Sequence, residues 1–429
     1  MKSQERTYQI GFYGYMLSVN FLFLAAALVF NQDGQMLSGL AKTLTSFAGS
    51  TMDYFSAGGL SAALLNVSLS GFLAFLVFLS GKTKASGSGL MAYMITLGFS
   101  FYGKTFLTSL PIVVGVYLYS RLNKIKWTQN TAMALFACSL DPTVSLFAFH
   151  PLHLKYPLFL RSIVALSVGL LIGLIVPIVS KHSSKIHKGF NIYNVGLSGG
   201  LTAWFIFQIY RSTFLAQQNL DSQGFLQSVF SSGEKTPILI LYSLLFLLLF
   251  LWGLYIKTYG EDKPSLSSLF KRSGHNCDFV KEEGLAATFW NMAIIGIIFL
   301  TFYYLVGAPF TGPTVGALLC AICLSSNGVS LTNAWPSFAG YFLASLVMPF
   351  SLGSQAQAVT LSFALALAPI SGVYGWFWGI IGGFAHAAIA PYSAAVHGGL
   401  TLYNGGFAAG IIAAVLVPIM EHFKEQRAN

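Results

Sequence analysis

Ten apolar stretches, most of them close to the ~20 residues an α-helix needs to cross a hydrocarbon core, dominate the chain. They run over 9–31, 57–80, 131–149, 160–180 and 191–213, then 235–258, 286–306, 355–372, 374–395 and 400–420. With 55% of residues apolar and 8% charged, a water-soluble fold would leave apolar surface uncovered. Backbone at membrane depth must satisfy its own N–H and C=O groups, which an α-helix does within one segment. The expectation is an all-α polytopic membrane protein. Lys2 and Arg6 stand before the first stretch as in a signal peptide, but that stretch is too long for the usual signal core and has a counterpart at 235–258. It is therefore read as a span. The net charge of +10 sits in short clusters between the stretches, the distribution of orientation signals, and no nucleic-acid partner is expected. Cys138, Cys277, Cys320 and Cys323 lack the spacing of a disulfide framework or metal site and read as packing residues, so no metal and no cofactor is expected.

The chain is also duplicated. Asp53-Tyr-Phe-x3-Gly59-Leu60-x-Ala62-x3-Asn66 returns 225 residues later as Asp278-Phe-Val-x3-Gly284-Leu285-x-Ala287-x3-Asn291. Gly71, Gly103, Pro111, Gly115 and Ser120 meet Gly296, Gly328, Pro336, Gly340 and Ser345 at the same offset, and Pro142 meets Pro369 at 227. Later the offset falls to 210, aligning Gly169, Gly173, His187, Gly189, Tyr193, Asn194, Gly196 and Gly200 with Gly379, Gly383, His397, Gly399, Tyr403, Asn404, Gly406 and Gly410. The first half thus carries about 17 extra residues, placed around His150 to Arg161. The boundaries follow as 1–213 for the first repeat, 214–234 for an extracellular linker and 235–429 for the second repeat.

Residues 88–122 and 312–350 differ from the full stretches. Each reads as two short apolar pieces separated by Gly103 to Pro111 or Gly328 to Pro336, candidate re-entrant half-helix pairs. Five full spans per copy is an odd number, so consecutive copies must be inverted, a common design among solute carriers. With the N-terminus inside, Lys2, Arg6, Lys82, Lys84, Arg121, Lys124, Lys126, Lys181, Lys185, Lys188, Lys257, Lys263, Lys271, Arg272, Lys281, Lys424 and Arg427 are cytoplasmic. Lys42, Lys155, Arg161, Arg211 and Lys235 fall outside and Lys104 lies in the membrane, so the positive-inside bias favours two cytoplasmic termini in a bacterial cytoplasmic membrane. Met36, Leu37, Leu40, Leu44 and Phe47 follow helical spacing and predict an interfacial helix, with Leu266, Leu269 and Phe270 as its inner counterpart.

Gly399-Leu-Thr-Leu-Tyr403-Asn404-Gly405-Gly-Phe-Ala-Ala-Gly410 resembles a Gly-Leu-x-x-Tyr-Asn-Gly-x4-Gly segment of the urea transporters, with a looser copy over Gly189 to Gly200. Gly59 to Leu65 resembles that family's Asn-Pro-x-Ser-Gly-Leu segment without its Asn-Pro. The family's Leu-Pro-x-x-Thr-x-Pro filter sequence is absent, its nearest match being Thr108-Ser-Leu-Pro111 against Asn333-Ala-Trp-Pro336. This resemblance implies inverted five-span repeats, half-helix pairs around a central pore and a homo-oligomer, a trimer. The whole chain also looks like a bacterial family of membrane proteins known only as a domain of unknown function, through Gly-Lys-x5-Leu-Pro at Gly103 to Pro111.

Broken helices expose N–H donors at one end and carbonyls at the other. The candidate solute pathway therefore comprises Thr108, Pro111, Asn333 and Pro336 at the breaks, Tyr193, Asn194, Tyr403 and Asn404 at the repeated motif, and the aromatic Phe101 and Trp335. Capping is the alternative for Thr108 and Asn333, an interhelical hydrogen bond for Asn194 and Asn404, and aromatic packing for Phe101 and Trp335. Lys104 and Asp141, with His386, are candidates for ion coupling or charge binding, because an ionisable group inside a span is costly. Their counterparts Val329 and Ala368 show that the scaffold does not require the two charges, although a structural ion pair is the alternative. The expected function is a channel or facilitator for a small neutral or weakly charged solute, urea or an amide by resemblance. Ion-coupled secondary transport through Asp141 and Lys104 is the second reading. The third is an intramembrane enzyme, for which no nucleophile elbow, HExxH or nucleotide loop is present, so no catalytic residue is assigned.

Overall fold

The computed structural model describes residues 2–50, 52–216, 235–260, 263 and 265–428, so most of the expected linker 214–234 lies outside the described residues. Among the described residues every regular element is helical. Nine segments there are long and apolar enough to cross a membrane: Gln4–Val29, Leu60–Gly81, Thr131–His153, Leu158–Ile186, Lys235–Tyr259, Leu285–Leu305, Gln355–Tyr374, Trp376–Val396 and Asn404–Gln426. They coincide with nine of the ten expected spans. The tenth, at 191–213, is a 17-residue α-helix over Asn194–Tyr210 that runs into a π-helical turn at Arg211–Leu215. Its α-helical part covers only about 25 Å.

The first copy contains α1 (Lys2–Val29), α2 (Met36–Thr45), α3 (Tyr54–Gly58), α4 (Leu60–Gly81), α5 (Gly87–Phe99), α6 (Phe106–Leu122), α7 (Thr131–Ala137), α8 (Asp141–Phe149), α9 (Leu158–Ile186) and α10 (Asn194–Tyr210). The second contains α11 (Lys235–Tyr259), α12 (Leu285–Leu305), α13 (Gly312–Leu324), α14 (Leu331–Val347), α15 (Gln355–Ala364), α16 (Ala368–Tyr374), α17 (Trp376–Ile389) and α18 (Asn404–Ala428). The expected amphipathic helix is α2, which buries Met36, Gly39 and Thr43 and leaves Leu37 outward. The extra residues of the first copy form the connector with the Pro151–His153 turn between α8 and α9. In the second copy Gly375 alone, at φ 94°, joins α16 to α17.

The breaks fall earlier than the prolines suggested. The α5–α6 break spans 100–105 and the α13–α14 break spans 325–330, while Pro111 and Pro336 lie inside α6 and α14. The reason is local. Thr105 and Thr108 form a capping box that starts α6, and Ser330 with Asn333 forms the equivalent box for α14, so the helix begins there. Each proline then removes one intrahelical donor near the helix start and packs against a glycine, Pro111 on Gly169 and Pro336 on Gly379, where a Cβ would collide. One asparagine ties each break. Asn66 Nδ2 donates to the carbonyls of Ser100 and Lys104 at 2.8 and 2.9 Å, and Asn291 Nδ2 to those of Ser325 and Val329 at 2.8 and 2.7 Å.

A second kind of break interrupts the third span of each copy. A 3-10 turn at Cys138–Leu140 separates α7 from α8, and one at Leu365–Leu367 separates α15 from α16. Pro142 and Pro369 follow in the first turn of the next helix, where the missing N–H has no partner to lose.

Equivalent helices pack on each other across the copies. In α1 and α11 the chains run oppositely: Thr7 donates to the Tyr259 carbonyl, Gly11 abuts Ile256 and Gly14 abuts Trp252. The same holds for α5 and α13, with Gly87 beside Ser326 and Gly98 beside Gly316. The N-terminal turns of α10 and α18 meet at Gly196 and Gly406, with Gly200 on Phe407 and Gly410 on Leu197, so the small-residue spacing serves close helix approach.

Two pairs of hydrogen bonds are exchanged reciprocally. Asp53 Oδ1 accepts from Gly312 N at 3.0 Å while its counterpart Asp278 accepts from Gly87 N at 2.8 Å. Ile192 N donates to the Ala366 carbonyl at 3.0 Å while Leu402 N donates to the Ser139 carbonyl at 2.8 Å. Asp53 is fully buried, so Asp53→Ala strands the Gly312 N–H and should destabilise the purified protein by about 1–3 kcal/mol. The check is thermal unfolding in detergent. The more exposed Asp278, which also pairs with Lys281, should cost less when changed to Ala, and equal or reversed effects would contradict the assignment.

Candidate functional site

The meeting point of α10 and α18 lies between two cavities. One, of about 200 Å³, is lined by Ser50, Tyr102, Phe363, Ala394, Leu402 and Asn404 among others. The other, of about 370 Å³ and more polar, is lined by Ser184, His187, Ile192, Asn194, Cys277 and Asn327 among others. The repeat relates them: Ser184, Ile192, Asn194 and Asn327 are the counterparts of Ala394, Leu402, Asn404 and Tyr102. Each cavity therefore ends on an asparagine that opens a helix. Asn404 Oδ1 is a buried atom with no hydrogen-bond partner within the protein, whereas Asn194 lies beside the His187 imidazole and interacts with it. An acceptor without a donor beside a helix N-terminus is chemistry suited to a polar visitor that brings N–H or O–H groups.

Four rings cluster next to the two asparagines, one of them, Phe363, in the wall of the smaller cavity. Tyr193 and Tyr403 meet at 5.3 Å, Tyr193 and Phe363 at 5.4 Å, Phe99 and Tyr403 at 5.1 Å, and Phe99 stacks on Phe363 at 6.3 Å. The Tyr193 hydroxyl donates to the Cys320 carbonyl at 2.8 Å, whereas the Tyr403 hydroxyl has no partner within the protein.

A separate buried cluster surrounds Asp141 at the start of α8. Asp141 Oδ2 accepts from Ser109 Oγ at 2.5 Å and from Thr108 Oγ1 at 3.2 Å, and Oδ1 has no partner. Lys104 is buried nearby, close to the Cys138 thiol and within electrostatic reach of Asp141. The ion pairs among the described residues lie elsewhere, so the two charges share a site without direct contact.

The other candidates divide. Thr108 and Asn333 sit in their capping boxes, Thr108 also reaching Asp141 and Asn333 reaching the carbonyls of Gly328 and Ser273. Pro111 and Pro336 serve helix packing. Phe101 packs between Phe23 and Phe55, and Trp335 lies on the surface, 46% exposed and stacked on Trp376, so neither lines the two cavities. His386 is a tie between helices: Nδ1 faces the Tyr341 hydroxyl at 2.6 Å and Nε2 faces the Gly405 carbonyl at 2.9 Å, just behind Asn404. Sequence reasoning missed Tyr102, Phe363, Tyr54, Ser109 and the role of Cys138. Aligning the two copies could have found three of them, since Tyr54, Ser109 and Cys138 stand opposite Phe279, Ala334 and Leu365.

Outside the spans, Lys188 at the polar cavity is held by Glu421 at 2.6 Å, whose hydrogen bond raises its pKa, while burial pushes His187 below the usual histidine range. Among the described residues no group of three or more His, Cys, Asp or Glu side chains is placed to hold a metal ion.

Helices of this length and hydropathy define a multi-pass membrane protein. The chain belongs to the family described as "Protein of unknown function (DUF1576)", whose model matches residues 32–212 and 263–422. No curated protein and no solved structure matches it, and the family match carries no link to the urea transporters.

Cys277 borders the polar cavity, whereas Cys138, Cys320 and Cys323 are buried. Burial raises the Cys277 thiol above its usual pKa, so the thiolate is scarce at neutral pH. Thiol modification of the folded protein should occur at Cys277 first, slowly, and faster as pH rises. Peptide mass spectrometry checks this, and early labelling of Cys138 would contradict it.

Proposed function

We propose that the chain is a channel or facilitator that passes a small neutral or weakly charged polar solute between its two copies. The observation that carries this reading is the pair of repeat-related cavities that end on Asn194 and Asn404, with the four rings next to these asparagines. Urea and short amides are the first solutes to try, because they present N–H donors to the unpartnered Asn404 oxygen.

The architecture belongs to the same reading. The two copies are inverted across the membrane, both termini are cytoplasmic and the polar cavity opens inward. Support comes from the opposed directions of α1 and α11 and of α5 and α13, and from the lysine and arginine distribution. The pairs α5–α6 and α13–α14 are re-entrant. Helices of 13 and 17 residues reach only about 20 and 25 Å, less than the hydrocarbon thickness, and their broken ends are covered by protein.

Two measurements test the reading. In proteoliposomes screened by stopped-flow light scattering with urea, formamide, acetamide, ammonium and small anions, at least one neutral solute should equilibrate faster than in empty vesicles. Asn404→Ala should slow that flux by about tenfold, the loss expected for one hydrogen bond in the pathway. Flux of none of these solutes above the empty-vesicle rate would sink the proposal. Separately, a membrane-impermeant maleimide should reach Cys277 from the cytoplasmic side only and Val359→Cys, in the other cavity, from the opposite side only. Labelling of both from one side would remove the inverted arrangement.

A further inference from the structure

The cluster around Asp141 exists in one copy only. Tyr54, Lys104, Ser109, Cys138 and Asp141 correspond to Phe279, Val329, Ala334, Leu365 and Ala368, so the second copy fills the same place with apolar side chains. Both backbones keep the 3-10 turn, the asparagine-tied break and the capping box. The polar set is thus dispensable for the fold, and burying a lysine and an aspartate in a membrane interior is costly.

The geometry limits what the cluster can take. Asp141 and Tyr54 are fully buried, and Asp141 Oδ1 and Tyr54 Oη both lack a partner within the protein while standing within electrostatic reach of each other. Neither Asp141 nor Lys104 lines either cavity, so a solute held in them does not touch the cluster. A metal cation is disfavoured because Lys104 already supplies a positive charge. A proton fits: on Oδ1 it turns an acceptor without a donor into a donor and neutralises the carboxylate without displacing any side chain.

The same break connects this cluster to the transport route. Residues 100–105 carry Tyr102 into the wall of the smaller cavity and Lys104 towards Asp141, with Gly103 at φ 73° between them. A Cβ at Gly103 would strike Leu402, another wall residue, and Leu402 N is bonded to the Ser139 carbonyl two residues before Asp141. We propose that Asp141 is a proton-binding site whose occupancy shifts the 100–105 break and so controls the smaller cavity, making the passage of solute proton-linked. This control rests on the pathway reading above, but proton binding itself does not.

The charged and titratable groups facing Asp141 are few. Lys104 comes from the break, Cys138 from the preceding turn and Tyr54 from α3, with Tyr403 behind Cys138. From α6 come only the hydroxyls of Thr108 and Ser109, and α9 reaches α8 with Arg161 at its far end, on the Ala148 carbonyl at 2.5 Å. Lys104 and Asp141 are therefore the charges whose balance a proton changes.

The test is an infrared pH titration of the purified full chain in lipid nanodiscs, which needs no solute. Wild type should show a buried carboxylic-acid C=O band that appears and disappears with pH, and Asp141→Asn should lose it. Lys104→Ala should move the titration to higher pH, since the carboxylate loses its neighbouring positive charge. The double variant Lys104→Val with Asp141→Ala copies the packing of the second copy, should fold, and should lack the band. A band unchanged in Asp141→Asn and in the double variant, or no titrating band in wild type, overturns the proton site. If the band behaves as stated while maleimide labelling of Val359→Cys has the same pH profile with Asp141 present and in Asp141→Asn, so that the profile is only that of the thiol, the control of the cavity is overturned. Failure of the flux screen leaves the infrared result standing, so the two readings fail separately.

Discussion

Each copy's Tyr-Asn loop is held by the broken third span of the other. Ile192 reaches the Ala366 carbonyl and Leu402 reaches that of Ser139, and both carbonyls belong to 3-10 turns. In a regular α-helix those carbonyls would be taken by donors four residues on, so the turn is what makes them available across the interface. Without the turns the loops over 187–193 and 397–403 would lose these backbone partners, and α10 and α18 would lose the anchor that brings Gly196 against Gly406. The cavities, the asparagines and the rings all follow from this one exchange.

The sequence made the duplication legible because its markers are residues with backbone jobs. Gly59 and Gly284 both sit at positive φ, 85° and 87°, ahead of α4 and α12, and Asn66 and Asn291 tie the same two carbonyls at the same spacing. Such residues cannot drift without loss, whereas the apolar ones between them can. Proline was a poorer guide. Pro111 and Pro336 looked like break points, but their helices start at Thr105 and Ser330, and that signal was present in Thr105-x-x-Thr108 and Ser330-x-x-Asn333. The 3-10 turns were not legible, since neither Cys138–Leu140 nor Leu365–Leu367 has a glycine or proline inside it. Long-range pairs such as Asp53 with Gly312 were equally hidden, because a helix-capping aspartate looks the same whether it serves its own helix or another. Of the candidate site, the sequence located Asn194, Asn404 and the charged residues, but the aromatic candidates Phe101 and Trp335 packed elsewhere while Phe99 and Phe363 took the central place.

Duplication also gives an internal control that a single-copy protein lacks. Where the copies agree, as in the caps, the tied breaks and the paired cavities, the shared geometry is what the scaffold needs. Where they differ in polarity, the difference lies in one copy's own chemistry. His386 and Tyr341 are a second instance: their counterparts are Val176 and Val116, so only the second copy ties its break helix to the α18 entrance through a histidine. The first copy thus carries the Lys104 and Asp141 cluster and the second the His386–Tyr341 tie.

The rings themselves are unequal in how they are held. Tyr193 is pinned through its hydroxyl to the Cys320 carbonyl, so moving it breaks a buried hydrogen bond. Tyr403 has an unpartnered buried hydroxyl and loses no such bond when it turns. It is followed by Asn404 and preceded by Leu402, which packs near Gly103, so its backbone is the part of the cluster best placed to follow a shift of the 100–105 break. Tyr193 is thus the tied ring of the pair and Tyr403 the untied one.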